Sequence, residues 1–157
     1  MKKITFQGEY GAYSHLACTT AYPNLEPIPC RTFESALDDV RAGKSDLAMI
    51  PVENSVAGRV ADIHYLLGDY DLKIYAEHFQ KVEHQLLVKS GVNLNEITHV
   101  RSHTMAIGQC QAVIKELGLQ TIVMADTAGS AKYISEQESS KDGAIASKLA
   151  AKTYGLE

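Results

Sequence analysis

Short apolar runs alternate with stretches of helical period along the whole chain. Residues 3–6 predict a strand, 14–22 a helix, 27–30 a strand and 33–42 a helix stopped by Gly43. Residues 47–50 form a short apolar run that predicts a buried strand, ended by Pro51. A loop over 51–58 then leads into a helix over 60–67, on which Val60, Ile63, Leu66 and Leu67 share one stripe. The order so far is βαβαβα.

Between residues 72 and 88 the pattern changes. Ile74, Tyr75, Phe79, Val82, Leu86, Leu87 and Val88 lie in a β-favouring stretch without Gly or Pro. Fully extended it would span roughly 56 Å at the usual strand rise, longer than one strand needs, which predicts a crossing between two lobes. The lobes are then residues 1–75 and 76–157. Alternation resumes with strands over 99–101, 121–124 and 143–146. Helices are predicted over 103–117, 128–135 and 148–153, the first capped by Gly118 and the last by Gly155. Residues 136–142 are polar and read as a flexible loop. Alternating βα units imply an α/β fold with a mostly parallel sheet, whose ligands collect beyond the carboxyl ends of the strands. Four turns lie there, over 7–14, 51–58, 102–105 and 126–130, and a cleft between the lobes is where they are expected to meet.

Composition narrows the function classes. The chain has 157 residues, 45% hydrophobic and 22% charged, an ordinary globular balance. Lys and Arg number 15 against 19 Asp and Glu, giving a formal charge of -4, with no block of five like charges. No nucleic-acid partner is expected on that balance. The absence of a long apolar run argues against a membrane span, and Met1-Lys2-Lys3 is not followed by a signal-peptide core, so a cytoplasmic location is expected. Cys18, Cys30 and Cys110 are widely separated and read as buried thiols rather than as a disulfide framework. Gly8-Glu9-Tyr10-Gly11 lacks dinucleotide-loop spacing, and no phosphate-binding G-x-x-x-x-G-K-[ST] loop occurs. His99 and His103 fall on different elements, and His78 and His84 each follow a Glu without forming a metal-ligand frame. No metal and no cofactor is therefore expected.

The four turns supply small and hydroxyl residues where helices begin: Gly11 and Ser14, Asn54 and Ser55, Ser102, then Thr127 and Ser130. A helix start offers unpaired N–H groups and about half a positive charge, which suits a carboxylate or phosphate, although the same residues serve as plain N-caps. With Ser102 as N-cap, Gln109 lies about two turns and 10 Å further along nearly the same face, with Ala106 between them. Glu53, Asn54 and Ser55 follow a strand directly, an arrangement that suits binding a hydroxy acid or moving a proton, or else a simple Asx turn.

Taken in order, these segments resemble the catalytic region of the prephenate dehydratases. The resemblance rests on residues 6–14 (FQGEYGAYS), 50–55 (IPVENS) with Gly58, and Ser102-His103 followed by Gln109-Cys110. Asp126-Thr127-Ala128, residues 143–147 (GAIAS) and Tyr154-Gly155-Leu156 complete it. It implies two α/β lobes resembling type II periplasmic binding proteins, with prephenate in the cleft between them and no cofactor. It also implies a carbon–oxygen lyase of phenylalanine biosynthesis and a homo-oligomer, usually with a regulatory ACT domain following. Asn54 and Gln109 match catalytic polar positions; Tyr13, Ser14, Glu53, Ser55, Ser102, Thr127 and Ala128 match or adjoin substrate-binding ones.

Departures from the family pattern are Ala12 in place of a common threonine and Thr104-Met105 in place of a common Pro-Gln. No Thr-Arg-Phe triplet occurs in the chain, and in the family the threonine of that segment is the proposed acid for the departing hydroxyl. The resemblance therefore implies an impaired or inactive catalytic fragment, with a first lobe lacking its return strands and an exposed sheet edge. An arogenate dehydratase and a non-catalytic small-anion binding module are the alternatives.

Overall fold

The computed structural model describes residues 1–138 and 141–157, so Ser139 and Ser140 of the expected 136–142 loop lie outside the described residues. The chain divides into two compact units, Met1–Glu9 with Tyr13–Lys81, and Tyr10–Ala12 with Val82–Glu157. The sequence-based boundary at Tyr75 falls inside an irregular segment of the first unit.

The first unit contains β1 (Lys3–Gln7), α1 (Tyr13–Ala21), β2 (Glu26–Cys30), α2 (Phe33–Arg41), β3 (Leu47–Met49), β4 (Glu53–Asn54), β5 (Gly58–Arg59) and α3 (Ala61–Asp69). Its main sheet has the order β2-β1-β3, with both pairings parallel. β1 is central, and Ile4, Thr5 and Phe6 are all buried, which is why it reads as an unbroken run rather than an alternation. Thr5 is tolerated there because its hydroxyl donates to the carbonyls of Ala36 and Leu47, at 3.0 and 3.2 Å. Pro27 and Pro29 have no N–H to give a second neighbour, and they sit on the edge strand β2. α2 starts with a capping box between Thr32 and Ser35 and ends with Arg41 in its last turn.

Two expectations for this unit need correction. The predicted 51–58 loop is a tight antiparallel hairpin, with Glu53 opposite Arg59 and Asn54 opposite Gly58. The long β-favouring stretch is not a strand: only Gln85–Leu87 joins a ladder, and residues 71–84 carry no regular structure. Ile74, Tyr75 and Phe79 are 82, 79 and 87% exposed. Strand propensity reports how well a side chain fits a half-buried pleated surface, and these residues have no such surface to join.

The second unit contains β6 (Gln85–Leu87), β7 (His99–Ser102), α4 (Thr104–Gln109), α5 (Gln111–Glu116), β8 (Gln120–Val123), α6 (Thr127–Glu136), β9 (Asp142–Ala146) and α7 (Lys148–Tyr154). Its sheet has the order β6-β9-β7-β8, with β7 parallel to β8 and β9, and β6 antiparallel to β9. The two faces of β9 separate by alternation. Ala144 and Ala146 pack with Ala131, Ile134 and Ala150, whereas Ile145 packs with Val100, Ala106 and Ile114. Small side chains on the first face let helices lie close to the strand.

The predicted 103–117 helix is two helices. Cys110, at φ -104° and ψ 9°, both ends α4 and opens α5, and its N–H is shared between the carbonyls of Ala106 and Ile107. Gly108, with the least helix-favouring side chain after proline, stands just before the break.

Residues Tyr10–Ala12 dock on α7. The Ser147 hydroxyl donates to the Gly11 carbonyl at 2.5 Å and accepts from the Ala150 N–H at 3.0 Å, and the Tyr154 hydroxyl donates to the Tyr10 carbonyl at 2.7 Å. Gly11 is wedged there: at φ +90°, a Cβ on it would lie 2.7 Å from the Ala150 Cα. Gly43 has φ +70° with nothing near a Cβ. Gly11→Ala should therefore cost about 2–4 kcal/mol, strain plus overpacking, and Gly43→Ala about 1–2 kcal/mol from strain alone. Urea unfolding of both variants checks this, and equal losses would show that the Ala150 contact is not tight.

In the first unit the His15 ring stacks on Phe6, centroids 5.4 Å apart, and burial lowers its pKa below the ordinary 6.5. The unfolded chain therefore takes up this proton first. Stability from His15 is intact above pH 6.5 and falls as pH drops from there through the lower folded value. Between pH 7.5 and 5.5 the wild-type chain should lose more stability than His15→Gln; identical losses in urea midpoints would rule this origin out.

Candidate active site

In the first unit, β1 and β3 run in parallel register, Phe6 opposite Met49, so the turns that leave them emerge at one edge of the sheet. Tyr13 and Ser14 open α1 beyond the first of these strands, and Glu53, Asn54 and Ser55 follow the second. Both groups are at least partly accessible. Asn54 holds its own hairpin, its Oδ1 accepting the N–H groups of Val56 and Ala57, each at 2.9 Å. This is the Asx-type turn that the sequence left open, and it ties down the amide oxygen but not the NH2.

In the second unit the carboxyl ends of β7 and β8 are level, Ser102 opposite Val123, and bring Ser102, Thr127 and Ala128 to one edge. Two of these residues do not present their side chains to a ligand. Ser102 is fully buried and its hydroxyl donates to the Ile145 carbonyl at 2.6 Å, a tether from β7 to β9. Ala128 is fully buried as well. The expected Ser102 cap is His103, whose Nδ1 accepts the Met105 N–H at 3.3 Å. At α6 the cap is Asp126, whose carboxylate accepts the Gly129 N–H at 2.6 Å, leaving Thr127 half-buried as the first helical residue. A negative charge already occupies that helix start, so plain capping describes the 126–130 turn better than anion binding. Ser130 is buried and donates to the Asp126 carbonyl.

Gln109 ends α4 and is exposed. Its Oε1 lies 2.7 Å from the Nε2 of His84. His84 immediately precedes β6, which runs antiparallel to β9 with Gln85 opposite Ala146. An antiparallel strand begins where its neighbours end, so His84 stands at the same carboxyl edge as Ser102 and Thr127, and its bond draws Gln109 towards that edge. Sequence reasoning missed this partnership, weighing His84 only as a metal ligand; among the described residues no cluster of three potential metal ligands exists.

A second cluster was also missed. Arg101 Nε pairs with Asp142 at 2.6 Å, both side chains under a fifth exposed, and its guanidinium lies 4.6 Å from the centre of the Tyr133 ring. This ion pair joins neighbouring strands and is structural in character. Hollows in this unit lie against α5 instead: an open one of about 670 Å³ lined by Ile107, Gln111, Ile114, Lys115 and Leu119, and one of about 120 Å³ that His84, Val113, Leu117 and Ile145 help to line. Of the thiols, only Cys18 is buried, which pushes its pKa up to about 12, while Cys30 and Cys110 are half-buried.

Residues 4–157 match the family model of prephenate dehydratase. The chain belongs to the prephenate dehydratase family. A bifunctional N-acyl-homoserine lactone acylase/prephenate dehydratase from Komagataeibacter europaeus is 47% identical over 154 residues, covering 98% of this chain and 55% of that protein. Arogenate dehydratase 2 from Petunia hybrida is 40% identical over 154 residues, covering 98% of the chain and 39% of the relative. The crystal structure of prephenate dehydratase from Arthrobacter aurescens, solved in complex with L-Phe, superimposes with a TM-score of 0.90 at 30% identity, covering 99% of this chain and 57% of that one. The chain thus spans about half the length or less of these relatives. Its α/β fold is the type II periplasmic-binding-protein-like fold of the prephenate dehydratase domain. Among the described residues no helix is long and apolar enough to cross a membrane.

The two roles of Asn54 can be separated. Asn54→Asp keeps an oxygen for the Val56 and Ala57 N–H groups and should leave stability within about 0.5 kcal/mol of wild type; Asn54→Ala removes both bonds and should cost about 1–2 kcal/mol. Thermal unfolding distinguishes the two, and equal stability of all three proteins would show that the hairpin does not depend on the amide oxygen.

Proposed function

We propose that the chain carries the substrate-handling part of a decarboxylating dehydratase acting on prephenate. Prephenate and one proton give phenylpyruvate, CO2 and water as the ring becomes aromatic. One carboxylate has to be held, the other released as neutral CO2, and the ring hydroxyl has to leave as water. The family match supports this reading, as does the placement of polar residues at the carboxyl edge of each unit's sheet.

One observation carries it furthest. Asn54 and Gln109, the family's catalytic polar positions here, both have their amide oxygens engaged by protein groups. Each amide therefore meets a ligand with its NH2 end, as a donor. Neutral donors fixed in this sense suit carboxylate and hydroxyl oxygens, and they need not reorganise as charge moves in the reaction. In the first unit Tyr13, Ser14, Glu53 and Ser55 are the accessible residues at the edge that carries Asn54; in the second Thr127 is accessible, and Ser102 and Ala128 support that unit's edge from within. Arogenate, which has an amino group in place of the keto oxygen, is the alternative substrate, and the petunia relative bears that name.

Calorimetry with prephenate and arogenate, together with phenylpyruvate and phenylalanine formation in the same samples, tests the proposal. Prephenate is expected to bind. Asn54→Asp, which keeps the hairpin but replaces the donor by a carboxylate, should weaken binding or turnover at least about tenfold. Failure to bind either substrate overturns the proposal. An N-acyl-homoserine lactone belongs in the same assay because the 47% identical relative's name couples the two activities.

A further inference from the structure

The bond between His84 and Gln109 joins two separate segments: Gln109 closes a short helix at the exposed surface, and His84 precedes its strand. Their separation in sequence is 25 residues, and the contact is 2.7 Å. An amide oxygen can only accept, so the imidazole supplies the proton from Nε2. We propose that His84 is the positioning residue of the active site: it fixes which end of the Gln109 amide faces the substrate.

Three features support the assignment. The α4–α5 break at Cys110 leaves Gln109 at a helix end, where no following turn of the same helix restrains its side chain. Without an oxygen partner the amide rotates, and half of its orientations offer a carbonyl to an anionic ligand, a repulsive contact. His84 is itself restrained, half-buried beside the small apolar hollow formed with Val113, Leu117 and Ile145, and anchored by the ladder that starts at Gln85. A group so placed selects an orientation rather than reacting. The role rests on the proposed reading of Gln109 as a substrate contact, and the experiment separates the two.

Prephenate affinity and, where turnover is measurable, kcat and KM are determined for wild type, His84→Phe, His84→Gln, Gln109→Ala and the double variant His84→Phe/Gln109→Ala, with thermal unfolding as a check on the fold. Phe keeps the ring without the donor; Gln restores a donor near the Nε2 position. His84→Phe should lower affinity or kcat/KM about tenfold, and His84→Gln should recover most of it. In the Gln109→Ala background the same His84 change should have no further effect, a non-additivity that a purely structural residue does not produce. Equal effects of His84→Phe in both backgrounds, no effect in either, or an effect of the same size in His84→Gln would overturn the positioning role while leaving a damaging Gln109→Ala, and hence the reading of Gln109, intact. If Gln109→Ala behaves as wild type, Gln109 is not a contact and both ideas fall. A chain that neither binds nor converts prephenate overturns the proposed function and this role with it.

Discussion

Parallel strand pairing governs where this protein can do chemistry. Neighbouring parallel strands cannot be joined by a tight turn, so β1, β2 and β3, and later β7, β8 and β9, are separated by helical crossings, one helix each except for α4 and α5 between β7 and β8. Every such crossing begins at the carboxyl edge, and that edge collects residues not needed for the ladder bonds of the parallel sheet. Tyr13, Ser14 and Glu53–Ser55 gather by this rule in one unit, and His103 and Thr127 in the other. In the second unit the antiparallel strand β6 contributes its start, not its end, to the carboxyl edge, and so delivers His84.

Close packing sets the second condition. β9 carries alanine on the face towards α6 and α7, and beyond the Arg101–Asp142 pair at its start the polar links around it are made by hydroxyl side chains. Ser102 ties β7 to the Ile145 carbonyl, Ser147 holds the Gly11 carbonyl while capping α7, and Ser130 bonds back to Asp126. Each satisfies a group that would otherwise be desolvated without a partner, and among the described residues no buried side-chain nitrogen or oxygen lacks one. Ser102 and Ser130, which look like ligand contacts in their motifs, are here spent inside the protein, whereas Ser14 and Ser55 stay accessible.

This explains what the sequence could and could not disclose. Strands and helices set by periodicity, from β1 to β3 with α3 and from β8 to α7, were legible because burial imposes the period, while the short β4–β5 hairpin, largely exposed, was not. The 71–84 stretch was misread because β-favouring residues do not make a strand without a ladder partner, and partners are not written in local sequence. The 103–117 helix was misread because its apolar period continues through Cys110 while its backbone does not. In the candidate site, residue identities were legible and side-chain directions were not. Ser102 and Thr127 look alike in sequence, yet one hydroxyl is sealed between strands and the other residue is half exposed at a helix start. The His84–Gln109 bond left no local signal at all, since it joins residues far apart along the chain.

The electrostatic character of the edge follows from these assignments. The chain is net acidic, and the helix starts that could attract an anion are largely engaged by His103, Asp126 and Ser147. Apart from the exposed carboxylate of Glu53, what remains on offer is uncharged: amide NH2 groups, hydroxyls and a few N–H groups. For the proposed reaction this is the more suitable arrangement. A departing carboxylate loses its charge as CO2 forms, so a lysine or arginine gripping it would stabilise the ground state more than the transition state and slow the step. Neutral donors hold a dianion less tightly, but what they give up in the ground state they do not forfeit at the barrier. Edges that each offer an oriented amide, Asn54 in one unit and Gln109 in the other, are therefore suited to letting one of two carboxylates go.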